Sequence, residues 1–199
     1  MIKKIYCINL AERKEKMTTV LSQWNDFKIQ RINAVDTRPN GVLGCYQSHL
    51  LTYQTHLKTL KNNNQHLLVI EDDAVPCPDF KTRLNVILKQ LPSDWNICLL
   101  GCWPMQSHQT IQVTENLHKA KSGILGGHCY LVNANFIKEI IKVYQNSSQH
   151  NGDYLIKVLQ SAYNVYVAIP ALSYQQNNFS DTSFTATDCT GTKQFYKHN

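Results

Sequence analysis

No stretch of this 199-residue chain approaches the roughly 20 consecutive apolar residues that a membrane-spanning helix needs. The first apolar run stops at Leu10, before Glu12 and Arg13, so it reads as a strand and not as the core of a signal peptide. The 7 cysteines, an odd number, contain no CxxC pair and no zinc-finger spacing, which speaks against a disulfide framework or a structural zinc site. Cys7, Cys45, Cys98 and Cys129 sit in apolar runs, as small core residues do. A reducing, cytoplasmic setting is therefore expected. The glycine fingerprints GxGxxG and GxxxxGK[ST] are both missing, which disfavours a dinucleotide-dependent dehydrogenase or a P-loop enzyme. Acidic residues are scarce, 14 against 20 lysines and arginines, for a net charge of +6. No helix carries a Lys/Arg stripe interleaved with aromatics, so no nucleic-acid partner is expected. The densest basic group, Arg13-Lys14 with Lys16, fits the phosphates of a small anionic ligand as well.

Against that scarcity, three carboxylates stand in a row. Leu67-Leu68-Val69-Ile70 reads as a strand buried on both faces, and Glu71-Asp72-Asp73 ends it. Open α/β sheets place their ligands at this carboxyl edge. Three adjacent negative charges are unfavourable unless a cation shares them, and oxygen ligands suit Mg2+ or Mn2+ that also holds a substrate phosphate. The plainer alternative is a solvated acidic turn before Pro76 and Pro78.

Strands and helices alternate along the chain. Strands are expected at Ile5–Leu10, Lys28–Ala34, the acidic run, Trp95–Leu100, His128–Val132 and Val165–Ile169. Helices are expected at Glu12–Trp24, Cys45–Leu60 (with Leu50, Tyr53, Leu57 and Leu60 on its inner side), Phe80–Leu91, Asn135–Tyr144 and Tyr154–Ala162. Residues 101–127 read as loops and short strands, and the segment from Tyr174 as polar and irregular. With no internal repeat or linker, the pattern predicts one α/β domain, a mostly parallel twisted sheet flanked by helices.

Several of these segments resemble one family. Ile5-Tyr6-Cys7-Ile8-Asn9-Leu10 with Arg13, then Gly44-Cys45-Tyr46-Gln47-Ser48-His49-Leu50, then Ile70-Glu71-Asp72-Asp73 follow the order and approximate spacing of glycosyltransferase family 25. That is the lipopolysaccharide-biosynthesis and collagen-galactosyltransferase group. Gly127-His128-Cys129-Tyr130-Leu131 is similar to its later glycine-histidine-tyrosine strand. Asp153, and Pro170 with Gln175 or Gln176 and Ser180-Asp181, resemble its C-terminal segments. Asp36-Thr37 departs from the family's usual Asp-Gly. The resemblance implies a single GT-A (Rossmann-like) domain over residues 1–181, with 182–199 as a tail. It also implies a UDP-sugar donor (galactose or glucose), Mn2+ or Mg2+, and inversion at the transferred sugar. The acceptor would be a glycan, a lipid-linked sugar or a protein hydroxyl.

Carried over by position, Asp73 would bind the metal and Glu71 would face the ribose or a metal-bound water. Asp72 can exchange roles with either neighbour. Asn9, Leu10 and Arg13, where the first strand meets its helix, suit base and phosphate contacts. Arg13 is equally readable as a solvated helix residue. Ser48 and His49 are either donor-site residues or satisfied structural ones. His128, after two glycines, is a third metal ligand, a sugar contact or a strand-end hydrogen bond. Asp153 is the candidate base for the acceptor hydroxyl, or an N-cap. Gln176, Ser180 and Asp181 could close over the donor. Two other classes share the acidic strand end: a metal-dependent phosphoesterase, and a catalytically silent nucleotide-sugar-binding protein.

Overall fold

The computed structural model describes residues 2, 4–60, 65–103, 106–147, 152–180 and 185–189. Strand β1 (Lys4–Asn9) leads through helix α1 (Lys14–Gln23) to β2 (Lys28–Asn33), then helix α2 (Gly41–Thr59) and β3 (Leu67–Glu71). A short β4 (Ala74–Pro76) precedes α3 (Phe80–Gln90) and β5 (Ile97–Leu99). The hairpin β6 (Thr110–Thr114) and β7 (Leu117–Ala120) is followed by β8 (Cys129–Val132), α4 (Ile137–Asn146), α5 (Gly152–Leu159) and β9 (Val165–Ala168). Three short strands close the described chain: β10 (Ser173–Gln175), β11 (Asn178–Ser180) and β12 (Thr185–Thr187).

Eight strands form one sheet in the order β2-β1-β3-β8-β5-β9-β7-β6. Six of them run the same way; β8 and β7 run against the rest. The expected parallel direction therefore dominates, with β8 inserted antiparallel between β3 and β5. That insertion matters for the site. An antiparallel neighbour begins where β3 ends, so the register Ile70↔Cys129 sets His128 beside Glu71, whose N–H donates to the His128 carbonyl at 2.9 Å.

Side-chain alternation in β3 explains the layers. Leu67 and Val69 face the apolar surfaces of α2, α4 and α5, and Leu68 and Ile70 face those of α1 and α3. All four are fully buried, each worth about 2 kcal/mol of transfer free energy. The same alternation sends Glu71 to the α2 side.

Helix α2 starts four residues before its expected first turn, because Asn40 caps it, accepting from the Leu43 N–H at 3.1 Å. Its innermost row is Tyr46, His49, Tyr53 and His56, at 3-4-3 spacing; Leu50 and Leu57 border the core instead. Counting apolar residues alone misses such a row, since tyrosine and histidine pack inward when hydroxyls and ring nitrogens find partners. The segment from Tyr174 is more regular than expected: β10 pairs with β4, and β11 pairs with β12 across the boundary at residue 181. All seven cysteines are free; Cys7, Cys98 and Cys129 lie in the core, whereas Cys45 is only partly buried. Among the described residues, no helix is long and apolar enough to cross a membrane.

Candidate active site

The carboxyl edge of β3 gathers the three acidic residues, and each takes a different set of partners. Asp72 turns toward the β1–α1 junction. Asn9 donates to its Oδ2 at 2.8 Å, Lys16 Nζ stands 3.5 Å from Oδ1, and Arg13 Nη1 stands 4.0 Å away. Burial still pushes the Asp72 carboxyl upward, against the pull of Lys16 and of the Asn9 hydrogen bond. Asn9 is itself buried and spends its remaining N–H on the Arg13 carbonyl at 3.0 Å, so β1 and the start of α1 are tied to the acidic turn. The Leu10 carbonyl accepts from the Arg31 guanidinium at 3.0 Å, which adds a further cation to this corner.

Asp73 turns the other way. Its Oδ2 accepts from Gln175 Nε2 at 3.0 Å, and its carbonyl accepts from the Gln176 N–H at 2.9 Å. The expected contribution of Gln176 is thus a backbone one, and Gln175 supplies the side chain.

Glu71 faces α2. His49 Nε2 lies 3.2 Å from its Oε1. Burial, then the charges of Asp73 and Asp72, push the Glu71 carboxyl up to about 8, with Lys16 opposing. Its side chain retains 24% of its exposure, so a ligand can reach it. The other ring nitrogen of His49 lies 2.7 Å from Tyr130 Oη, which lies 2.6 Å from Tyr53 Oη. Tyr53 in turn donates to Tyr144 Oη at 3.3 Å. Burial holds the Tyr53 and Tyr130 hydroxyls protonated, far above their ordinary range. Cys45, one helical turn before His49, completes a group: the ligand atoms of Cys45, His49 and Glu71 lie within 4.8 Å of one another. This is a set able to hold a metal ion.

Ser48 is spent on backbone, accepting from the Val35 N–H at 2.8 Å and donating to the Gly44 carbonyl at 2.6 Å. Gly44 has its own reason to be glycine: a Cβ there would stand 2.5 Å from the Val35 carbonyl oxygen and 2.8 Å from Thr37 Oγ1. Together they dock the 35–37 loop onto α2, beside the carboxylates.

His128 is buried against Gly101, where a Cβ would come within 2.2 Å of its Nε2. Neither ring nitrogen has a well-formed hydrogen bond. Burial pushes the ring down to about 4, with the Ser173 backbone opposing. It is a cross-strand neighbour of Glu71 but stands outside the Cys45–His49–Glu71 group. Asp153 is the second residue of α5; its side chain, like that of Ser180, lies outside the described residues, as does Asp181 altogether. Cys189 reaches the site from the C-terminal segment: it is buried, and after burial itself the charge of Asp73 raises its thiol most.

The sequence reading named most of the residues that meet here but missed Cys45 beside His49 and Glu71 and the Tyr130–Tyr53 hydroxyl chain behind His49. The Cys45/His49 pair at i, i+4 was the available signal, one face of a helix presenting two metal-type ligands.

No curated protein matches the chain in sequence. Among solved structures it is similar to a glycosyltransferase involved in the glycosylation of the major capsid of PBCV-1, 11% identical over 92% of this chain and 97% of that one, TM-score 0.57. A197 from STIV is 9% identical over 89% of this chain and 87% of that one, TM-score 0.52. A more distant similarity, TM-score 0.42 at 15% identity over 93% and 69%, is to a Drosophila galactosyltransferase 7 crystallised with manganese, UDP-Gal and xylobiose. At such identities the likeness is one of fold, here the GT-A type. The family model described as Glycosyltransferase family 25 (LPS biosynthesis protein) matches residues 39–156, which hold α2, the acidic strand end and the His128 strand, and the chain belongs to that family.

Proposed function

We propose that this glycosyltransferase moves a hexose, galactose or glucose, from a UDP-sugar to an acceptor hydroxyl with inversion, assisted by a divalent cation. The observation that supports this most is the division of labour in the acidic triplet. Asp72 is matched by Lys16, Arg13 and Asn9, whereas the Glu71 carboxyl is pushed up first by burial and then by the charges of Asp73 and Asp72. Oxygen donors in negative excess fit Mn2+ or Mg2+, so Glu71 and Asp73 are the residues that would hold the ion. A bound cation supplies charge stabilisation for a departing diphosphate.

The chain's own residues do the rest. Asn9, Leu10, Arg13 and Lys16 form a polar, cationic corner for the nucleotide at the β1–α1 junction. His49, held by Tyr130, keeps the Glu71 carboxylate oriented toward the ribose side. Gln175 fixes the Asp73 carboxylate. Asp153 takes the proton of the acceptor hydroxyl as it attacks the anomeric carbon from the face opposite the diphosphate.

A panel of nucleotide sugars, followed by thermal shift and hydrolysis with and without Mn2+, tests this reading. UDP should raise the melting temperature only with Mn2+ present, and Asp73→Ala should remove the effect. A UDP shift indifferent to both metal and substitution refutes it. Asp153→Asn should retain UDP binding while transfer to acceptor falls by about 10²–10⁴, the usual worth of a general base. Transfer within tenfold of the unsubstituted protein would move the base elsewhere.

A further inference from the structure

Cys45, His49 and Glu71 bring a thiol, an imidazole and a carboxylate from two elements into one group. Mn2+ and Mg2+ prefer oxygen donors, and a sulfur ligand does not suit them. The set matches zinc chemistry: three protein ligands of mixed S, N and O type, leaving a fourth position open. We propose that Cys45, His49 and Glu71 form a Zn2+ site of their own, adjoining the hard-cation site and sharing Glu71 with it.

Three features of the geometry carry this. First, the ligand atoms are nearly in place. Tetrahedral zinc with these donors holds its ligand atoms about 3.3–3.8 Å apart. His49 Nε2 and Glu71 Oε1 already stand 3.2 Å apart, and no pair in the group exceeds 4.8 Å. A contraction of about 1 Å, within reach of Cys45 and Glu71 rotamers, closes the set. Second, the imidazole has the outer support that zinc ligands carry. The nitrogen turned away from the group, Nδ1, is hydrogen-bonded to the buried Tyr130 hydroxyl, which is itself held by Tyr53. That arrangement fixes the ring and leaves Nε2 for the ion. Third, the group is reachable, since Glu71 and Cys45 are only partly buried while His49 forms the floor. On binding, the Cys45 thiol and the Glu71–His49 hydrogen bond each give up a proton to solvent, and no other bond changes.

Sharing Glu71 has a consequence that rests on the cation-assisted donor binding proposed above. Zn2+ at this triad takes the Glu71 carboxylate away from the hard-cation site, so Zn2+ should antagonise Mn2+-dependent UDP binding.

Co2+ serves as a spectroscopic stand-in for Zn2+. The full chain should bind one equivalent of Co2+ with a thiolate-to-cobalt charge-transfer band that Zn2+ bleaches. Cys45→Ala should lose the band and bind Zn2+ at least tenfold more weakly, with circular dichroism confirming that it folds. X-ray absorption of the unsubstituted, Zn2+-loaded protein should show one sulfur in the metal's shell, which keeps the test open if Cys45→Ala does not fold. Absence of sulfur from that shell, or a band that survives in folded Cys45→Ala, overturns the site. With the site established, one equivalent of Zn2+ should abolish the Mn2+-dependent UDP shift in the unsubstituted protein and spare it in Cys45→Ala. A sulfur-bound zinc without any Mn2+-dependent UDP shift would leave this site standing and remove the donor reading instead.

Discussion

Glu71 is where the local chemistry is most finely set. In the metal-free protein its carboxyl is raised from 4.5 to about 8, first by burial and then by its two acidic neighbours. A folded-state value above the unfolded one means that protonated Glu71 favours the fold. That contribution is complete below pH 4.5 and is lost as pH rises through about 8. A divalent ion needs the opposite form, so metal and proton compete for the same oxygens. Apparent Mn2+ affinity, followed by calorimetry, should therefore climb from pH 6 to 8 by up to about tenfold per unit and flatten above. Buffers of different ionisation heat should reveal proton release on binding. Glu71→Gln should bind Mn2+ weakly and show a flat profile across the same range. A steep profile in Glu71→Gln would assign the titration to another group.

At the scale of elements, α2 and its docking loop decide how well the site is held. Gly44 lets the 35–37 loop lie directly on the helix, and Ser48 then bonds the Val35 N–H. In Gly44→Ala the added methyl meets a backbone carbonyl at 2.5 Å, which cannot swing aside as a side-chain end can. Overpacking of this kind costs about 2 kcal/mol, a fall in Tm of about 4–8 °C for a chain of this length. An unchanged Tm would show that the loop moves freely. The elements around this contact were mostly legible from sequence. Leu67–Ile70 announced a buried strand because four apolar residues in a row have no solvated face. The acidic triplet's place at the end of β3 followed from the same run. The reversed direction of β8 was not legible: a run such as Cys129–Val132, buried on both faces, looks alike in either orientation. The inner row of α2 was legible only in part: Tyr53 was expected there, whereas Tyr46, His49 and His56 qualify as core residues through partners that only the fold supplies, Tyr144, Tyr130 and Tyr6. The division of Asp72 from Glu71 and Asp73 also depends on tertiary placement, because Asn9 lies 63 residues upstream of the carboxylate it binds.

The whole molecule closes around His128. The turn after β5 at Gly101 and the start of β10 at Ser173 meet at this ring, and the end of β3 bonds its backbone, the Glu71 N–H donating to the His128 carbonyl. Its value of about 4, against 6.5 in an unfolded chain, follows from burial without a charged partner. Here the sign is the reverse of that for Glu71. The fold excludes the protonated ring, so stability is complete above pH 6.5 and is lost as pH falls toward 4. The full cost is about 3 kcal/mol, reached only near the lower limit; at pH 5 about 2 kcal/mol should be gone. Glu71 and Asp72, both raised, work in the opposite direction on acidification and mask part of this loss. A comparison within one protein is therefore insufficient. Urea unfolding with chelator, at pH 7 and pH 5, should show the unsubstituted chain losing more stability than His128→Asn, by about 2 kcal/mol, while both retain the same two carboxylates. Because segments from across the chain meet at this residue, the loss should appear as one cooperative transition at a lower urea midpoint. An acid-induced step confined to part of the molecule would mean that His128 seals a single strand end and does not hold the domain together.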